Sequence, residues 1–342
     1  MTVRVSKPEF NLREKLSELD KPTGVKGLDL MRSDTTQDAR SFISADRRNL
    51  LINGQFDVWQ RTTDSGSTTS SGYMSSDRWK SNASGGTYQI TRQEFALDQT
   101  EVPDNPRYYL RFAVTTGANN ISLGQRIEGV ENVQGEVTLS FWAKGTNPPN
   151  GYFDKIDRQD FGTGGNSVSS VVDTGYGTFR VTPNWQKFTF TFTPPSISGK
   201  TLGTTHSGFY ECQIFRQPAA DNGTGAYTID IANVQLEVGK NATEFQKRPI
   251  GEEVALCRRY FYKPDVNTLL WPAYQYHESY KMIVVCFQVE MRIAPSCNFS
   301  MGGSNTWTTY LNSKDHFKAY TGSNHANGGS HYMSAFTATA EL

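Results

Sequence analysis

The sequence has little of what marks most specialised chemistries. Its 342 residues carry no charge excess: 34 Lys and Arg balance 34 Asp and Glu. No basic field invites nucleic acid, and no acidic tail is present. No stretch approaches the roughly 20 apolar residues that cross a bilayer, and residues 1–10 lack the apolar core of a secretory leader. The expectation is a chain without membrane insertion, made and folded in a cytoplasm. Cysteine is scarce. Cys212, Cys257, Cys286 and Cys297 match no zinc or redox spacing and are expected as buried free thiols. The sequence contains no Gly-x-Ser-x-Gly elbow, phosphate loop or His-Glu-x-x-His. Glycoside hydrolysis needs two carboxylates flanking a cleft. Asp154, Asp157, Asp160 and Asp173 cluster in a Gly-rich stretch at 151–177, but nothing there defines an acid and a nucleophile. The chain reads as a non-enzyme.

What is abundant is aromatic and turn-forming. The chain has 20 Phe, 16 Tyr and 6 Trp in an otherwise polar background of mean hydropathy −0.56. Such a composition suits many short strands joined by polar turns. The pattern is mainly β from residue 49 onward. Strands are expected at 88–92, 107–114, 122–127, 137–143, 177–181, 186–192, 208–216 and 226–236. The runs Thr138–Ala143 and Gln186–Phe192 alternate polar and apolar residues, the mark of strands with one buried face. Eight or so strands over about 200 residues fit a two-sheet sandwich with Greek-key connections.

The first 48 residues differ. Ser6 and Glu9 form a capping box, with Pro8 in the first turn and Leu12, Leu16 and Leu19 at helical spacing. A second short helix is expected to carry Ala39, Phe42 and Ile43 on one face. Two such helices cannot bury their stripes on each other alone. They predict a segment for attachment or assembly with partner chains. A further helix is expected at 249–260, with Ile250, Val254 and Cys257 on one face, as a hinge. Beyond it, 261–342 is β-like again, with a central strand at 281–291 and a last strand at 332–340. The expected organisation is a helical segment at 1–48, a sandwich at 49–248, and a linker helix with a small β domain at 249–342.

Several ordered blocks resemble the jelly-roll domains of bacteriophage tail-fibre and related virion proteins. They are Asn49-Leu50-Leu51-Ile52-Asn53-Gly54-Gln55-Phe56-Asp57-Val58-Trp59-Gln60-Arg61, taken as an opening strand, then Asp77-Arg78-Trp79, Ser122 to Val130, Val137 to Lys144, Ile229 to Glu237, and Phe245 to Tyr260. Val3 to Leu19 and Leu30-Met31-Arg32 resemble segments that precede this domain in marine phage proteins. The likeness covers roughly residues 1–262, and the last 80 residues match no known pattern. It implies a virion component assembled in the host cytoplasm, on the tail apparatus rather than the capsid surface. The implied form is a trimer held to other virion proteins by its N-terminal segment. The implied partner is a host polysaccharide or outer-membrane receptor, with no nucleic acid. The alternative role is a capsid decoration or fibre-anchoring protein that binds no receptor. The sandwich also resembles carbohydrate-binding modules of glycoside hydrolases, through its Asn-Gly-x-Phe-acid start and Ile-x-x-Val-x-Leu end. In those modules the two ends often share a structural calcium. The matching positions here are Gly54 (backbone), Asp57 (side chain) and Asn233, the last replacing the acid that a hard cation prefers.

Trp59, Trp79, Trp142 and Trp185 fall within strand-like patterns and are expected in cores. Trp271, Tyr274, Tyr276, Trp307, Tyr310 and Tyr320 lie in or near loops of the C-terminal region. Aromatic faces stack on sugar rings while neighbouring polar groups bond the hydroxyls, so these six are the candidate glycan contacts. His316, His325 and His331 lack the close spacing of a metal site.

Overall fold

A computed structural model describes residues 49–116, 119–148, 151–166, 177–203, 207–217, 225–264, 274–277, 280–302, 307–321 and 332–342. The expected N-terminal helices, with Leu12, Leu16, Leu19, Phe42 and Ile43, lie outside them. The chain is mainly β, built from antiparallel sheets.

Ten strands make a sandwich of two five-stranded sheets. They are β1 (Trp79–Ser84), β2 (Thr87–Glu94), β3 (Tyr108–Thr116), β4 (Asn119–Glu128), β5 (Val137–Gly145), β6 (Phe153–Asp160), β7 (Thr178–Phe179), β8 (Gln186–Phe192), β9 (Phe209–Arg216) and β10 (Tyr227–Val238). One sheet runs β1-β4-β9-β6-β7 and the other β2-β3-β10-β5-β8. Between them lies a continuous core that includes Phe112, Phe141, Phe153, Phe179, Tyr210, Phe215 and Ile231. Its rings meet mostly edge-on or tilted, as with Phe112 on Phe215 at 5.3 Å and 87°.

The expected strands are present with shifted ends, and a strand that was not expected, β6, runs through the stretch that holds Asp154, Asp157 and Asp160. Its inward positions are Phe153, Lys155, Asp157 and Gln159, all buried. Lys155 pairs with Asp157, the Tyr210 hydroxyl donates to Asp157 at 2.6 Å, and the Lys155 ammonium lies 4.6 Å from the Phe192 ring centre. Burial pushes the Asp157 carboxyl above the usual range despite Lys155. Polar residues facing inward hide the alternation that would have announced this strand.

The block at residues 49–61 is not an opening strand. It is a run of bends and turns with Asn53 and Phe56 in the left-handed region, at φ 58° each. The Asn53 amide donates to the carbonyls of Val58 (2.8 Å) and Asp77 (3.0 Å), and its own carbonyl receives the Trp79 indole N–H at 2.9 Å. A Cβ on Gly54 would lie 2.2 Å from the Val234 carbonyl oxygen, so only glycine fits there.

Helix α1 (Ile250–Arg258) forms as expected, but its buried residues are Glu253 and Cys257, while Ile250 is exposed. Glu253 accepts from the Asn53 amide N–H and from Arg248. The helix is docked on the sandwich rather than acting as a hinge. Beyond it, β11 (Phe261–Tyr262), β17 (Tyr332–Thr339) and β14 (Ser296–Gly302) form a three-stranded sheet. A four-stranded sheet runs β12 (Tyr274–His277), β13 (Tyr280–Cys286), β16 (His316–Thr321) and β15 (Trp307–Asn312). They enclose a second core of Ile283, Val285, Met291, Phe317, Met333 and Phe336. The central strand expected at 281–291 stops at Cys286, and Cys286 is exposed rather than buried.

The two units are clamped together by charge. The chain returns after β17, and the Glu341 carboxylate enters between Arg61 (3.0 Å) and Arg78. Arg78 is buried, its guanidinium 3.5 Å from the Tyr260 ring centre, and it also donates to the Arg126 carbonyl. Arg61 pairs with Asp77 and covers Phe261, and Glu128 binds Arg259 and Tyr260 at 3.1 Å each. The motif Asp77-Arg78-Trp79 is thus an anchoring device.

Candidate functional site

The small unit presents an aromatic face. In β13 and β16 the residues Ile283, Val285, Phe317 and Ala319 are fully buried. Strand alternation therefore turns Met282, Val284, Lys318 and Tyr320 outward. Met282 pairs with Tyr320, and Tyr320 with Thr308, across β13, β16 and β15. A bulge between Thr309 and Leu311 inserts Tyr310 as an extra residue, which re-aims its side chain. Tyr310 is 64% exposed and Leu311 41%. The Tyr310 and Tyr320 rings meet edge-on, with centroids 5.9 Å apart at 88°. Tyr310 is the exposed member of the pair, and Thr308 and Lys318 stand opposite Tyr320 and Leu311 in the strand register.

Two of the six candidate glycan contacts, Tyr310 and Tyr320, are seen to meet. Trp307 instead packs against the small core. Tyr274 and Tyr276 lie on β12, where Tyr274 holds the position opposite Met282, one strand further along the row that contains Tyr320. Trp271 lies outside the described residues, as do His325 and His331. The His316 Nδ1 lies 2.9 Å from the Asp315 carboxylate and 3.1 Å from the Ser313 hydroxyl, in a local turn. Sequence reasoning missed Met282, Lys318 and Leu311. The alternation His316-Phe317-Lys318-Ala319-Tyr320 holds the signal, since its small and apolar members point in.

The expected core tryptophans divide. Trp79 and Trp185 are buried, while Trp59 and Trp142 are partly covered. Trp185 packs with Phe95 and Tyr109 on the outer side of the β2-β3-β10-β5-β8 sheet, under residues 95–102.

The calcium positions Gly54, Asp57 and Asn233 share one region, but their groups serve each other. The Gly54 carbonyl accepts from the Val234 N–H at 2.9 Å. The Asn233 side chain donates to the Pro103 carbonyl at 3.0 Å and accepts from Gln55 at 3.1 Å. Asp57 is the one carboxylate of the three, and burial together with nearby Glu253 pushes its pKa up to about 6. This donor set does not fit a hard cation, which favours several free carboxylates. Among the described residues no group of three or more His, Cys, Asp or Glu side chains could hold a metal ion.

The carboxylates considered for hydrolysis also separate. Asp157 lies in the core, Asp154 pairs with Arg216 at 3.1 Å, and Asp160 accepts from the Gly162 N–H at 2.9 Å. Asp154 and Asp160 are six residues apart on one strand, about 20 Å. Asp173 lies outside the described residues. A pocket of about 300 Å³ opens at the end of the sandwich, lined by residues that include Glu128, Glu131, Asn132, Phe161 and Leu202. Glu128 there is already committed to Arg259 and Tyr260.

No protein-family model matches the chain, and no curated protein does. Among solved structures, it is similar to the enzymatically active domain of bacteriophage CBA120 tailspike protein 4, at 16% identity and a TM-score of 0.32 over 55% of this chain. The chain spans about a fifth of that protein's length, 21%. It is also similar to the CBM22-1 xylan-binding domain of Paenibacillus barcinonensis Xyn10C, at 15% identity and TM-score 0.29, over 58% of this chain and 99% of the other. A third likeness is to the N-terminal cellulose-binding domain of Cellulomonas fimi β-1,4-glucanase C, at 17% and 0.28, over 52% and 96%. Likenesses at these values extend to neither site nor activity.

Proposed function

We propose that this chain is a non-enzymatic structural component of a bacteriophage particle, of the tail-fibre type, whose small C-terminal unit binds host-surface polysaccharide. The exposed Tyr310 ring, set edge-on against Tyr320, carries this reading. An aromatic ring on a sheet face offers apolar surface to a sugar ring, while Lys318, Thr308 and the tyrosine hydroxyls offer donors and acceptors to its hydroxyls. The clamp around Glu341 holds that surface at a fixed angle to the sandwich, as a spacer requires. In this reading residues 1–48 join other virion proteins. A homotrimer repeats the site three times and multiplies weak contacts into useful avidity.

A second reading is a capsid decoration or fibre-anchoring protein that binds no receptor. The outward apolar side chains of Met282, Val284 and Leu311 favour it, since they suit a protein contact. Retention of the purified full-length chain on a panel of immobilised bacterial surface polysaccharides separates the two. The first reading expects retention on at least one polysaccharide, weakened about tenfold in Tyr310→Ala by loss of aromatic stacking. Retention on none, with self-association abolished in Leu311→Asp, supports the second and overturns the first.

A further inference from the structure

The outer face of the β1-β4-β9-β6-β7 sheet carries two cations, Lys80 and Arg158, whose side chains make no hydrogen bond or ion pair with a described residue. Three rows cross the face in register. Arg126, Glu211 and Arg158 lie side by side on β4, β9 and β6. The next row is Lys80, Gly124, Gln213 and Ile156, and the third is Asn82, Ser122, Arg216 and Asp154. These rows hold four cations against two carboxylates.

Both carboxylates already have a cationic partner. Asp154 pairs with Arg216. Glu211 is 1% exposed, takes Arg126 at 2.8 Å on one oxygen, and takes Gln213 (2.9 Å) and Asn82 (3.3 Å) on the other. Burial drives the Glu211 carboxyl upward, yet Arg126, Gln213 and Lys80 together hold it below the ordinary range. Arg158 stands beside Glu211 in register, yet no hydrogen bond or ion pair joins the two side chains. The Arg158 Nε is buried without a partner, and neither Arg158 nor Lys80 makes a hydrogen bond or ion pair with a described residue. The adjoining row adds Glu128 and Asp160, but the first is held by Arg259 and Tyr260 and the second by the Gly162 amide.

Two unpaired cations on a recessed face, close to a third, repel one another and are partly stripped of water. An unpaired, desolvated guanidinium costs stability unless an anion completes it. We infer that this face binds an acidic polysaccharide, with Arg158 and Lys80 meeting the sugar's anionic group and the amide oxygens of Asn82 and Gln213 accepting from its hydroxyls. A guanidinium fork matches a planar carboxylate, and neutral amides around the charge suit a polyhydroxylated ligand. Nucleic acid fits less well. The one ring in these rows, Phe209, is covered by Arg126 at 3.9 Å, so no open platform serves a base.

This inference rests on residues separate from the Tyr310–Tyr320 face, and the test keeps them distinct. The full-length chain is run by affinity electrophoresis through gels containing polygalacturonate, dextran sulfate or neutral dextran. Retardation by polygalacturonate or by dextran sulfate, and not by dextran, is expected. The two acidic gels distinguish a carboxylate from a sulfate. Arg158→Gln weakens the retardation about tenfold or more, as loss of a charge-assisted hydrogen bond does. Lys200→Gln removes the same charge from an exposed site and leaves retardation unchanged, as does Tyr310→Ala. Arg158→Gln also melts no lower than the parent, because no internal partner is lost. Equal retardation by dextran, an unchanged Arg158→Gln, or an equal effect of Lys200→Gln overturns the proposal.

Discussion

The large sandwich and the small C-terminal unit solve the same problem with opposite distributions of polarity. In the small unit, Phe317 and Ala319 face in while Lys318 faces out. In the large sandwich, β6 turns Lys155, Asp157 and Gln159 into the core, while Asp154 and Arg158 of the same strand are only half-buried. The outer surfaces differ in the same sense. The small unit shows rings, and the β1-β4-β9-β6-β7 face shows cations. Charge alone does not tell inside from outside. What decides is whether a buried charge can find partners, as Lys155 does in Asp157 and Asp157 does in Tyr210.

Removing one half of the buried pair should cost the most stability. Asp157→Ala leaves Lys155 uncompensated in the core and is expected to cost about 3–5 kcal/mol in urea unfolding. The double variant Lys155→Met, Asp157→Leu should recover much of that loss. A double variant as unstable as the single one would show that the two charges are not coupled. Next in size is the clamp. Glu341→Gln takes the charge from between Arg61 and Arg78 and should cost about 2–3 kcal/mol. It should also expose residues near 259–263 to protease. A freely hinged small unit predicts no change in either measurement.

Asp57→Asn should act in the other direction. Its folded pKa of about 6 lies above the ordinary 3.8. Between those values the folded state therefore holds more proton than the unfolded one, and stability falls as pH rises through that window. Replacing the carboxyl is expected to stabilise the protein by about 1–2 kcal/mol at pH 7–8, allowing for partial exposure, and by nothing below about pH 4. A melting series from pH 4 to 8 reads this directly. Stabilisation of the parent by added calcium that vanishes in Asp57→Asn would instead restore a cation to that site. The smallest effect on stability belongs to Tyr310→Ala, within about 0.5 kcal/mol, because Tyr310 is exposed on a bulge. Its effect should appear in saccharide binding alone.

Much of the sandwich was legible in the sequence. Strands such as Gln186–Phe192 announce themselves because one face is apolar and the other is not. Strand β6 was hidden because its partners, Tyr210 and Phe192, lie more than 30 residues away and nothing local reveals that Lys155 is satisfied. The block Asn49 to Arg61 is expected as an opening strand from its resemblance to jelly-roll domains. Its structure is dictated by one buried amide, Asn53, which bonds across the fold to Val58 and Asp77 and supports Trp79. The helix at 249–260 was visible, but its buried face is set by Glu253, a residue that propensity assigns to solvent. Of the candidate glycan contacts, Tyr310 and Tyr320 were identified by residue type. Their pairing depends on a bulge that no periodicity reports. The cation cluster was invisible, since Lys80, Arg126 and Arg158 converge only through strand register.

In the proposed function, the outward face of β13, β16 and β15 meets saccharide while the sandwich holds it rigidly. Hydrogen–deuterium exchange on the full-length chain, with and without a polysaccharide that retains it, tests this most directly. Protection is expected across residues 307–321, with exchange in the clamp strand at 332–342 already slow and unchanged. Unaltered exchange at 307–321 under saturating polysaccharide would contradict it.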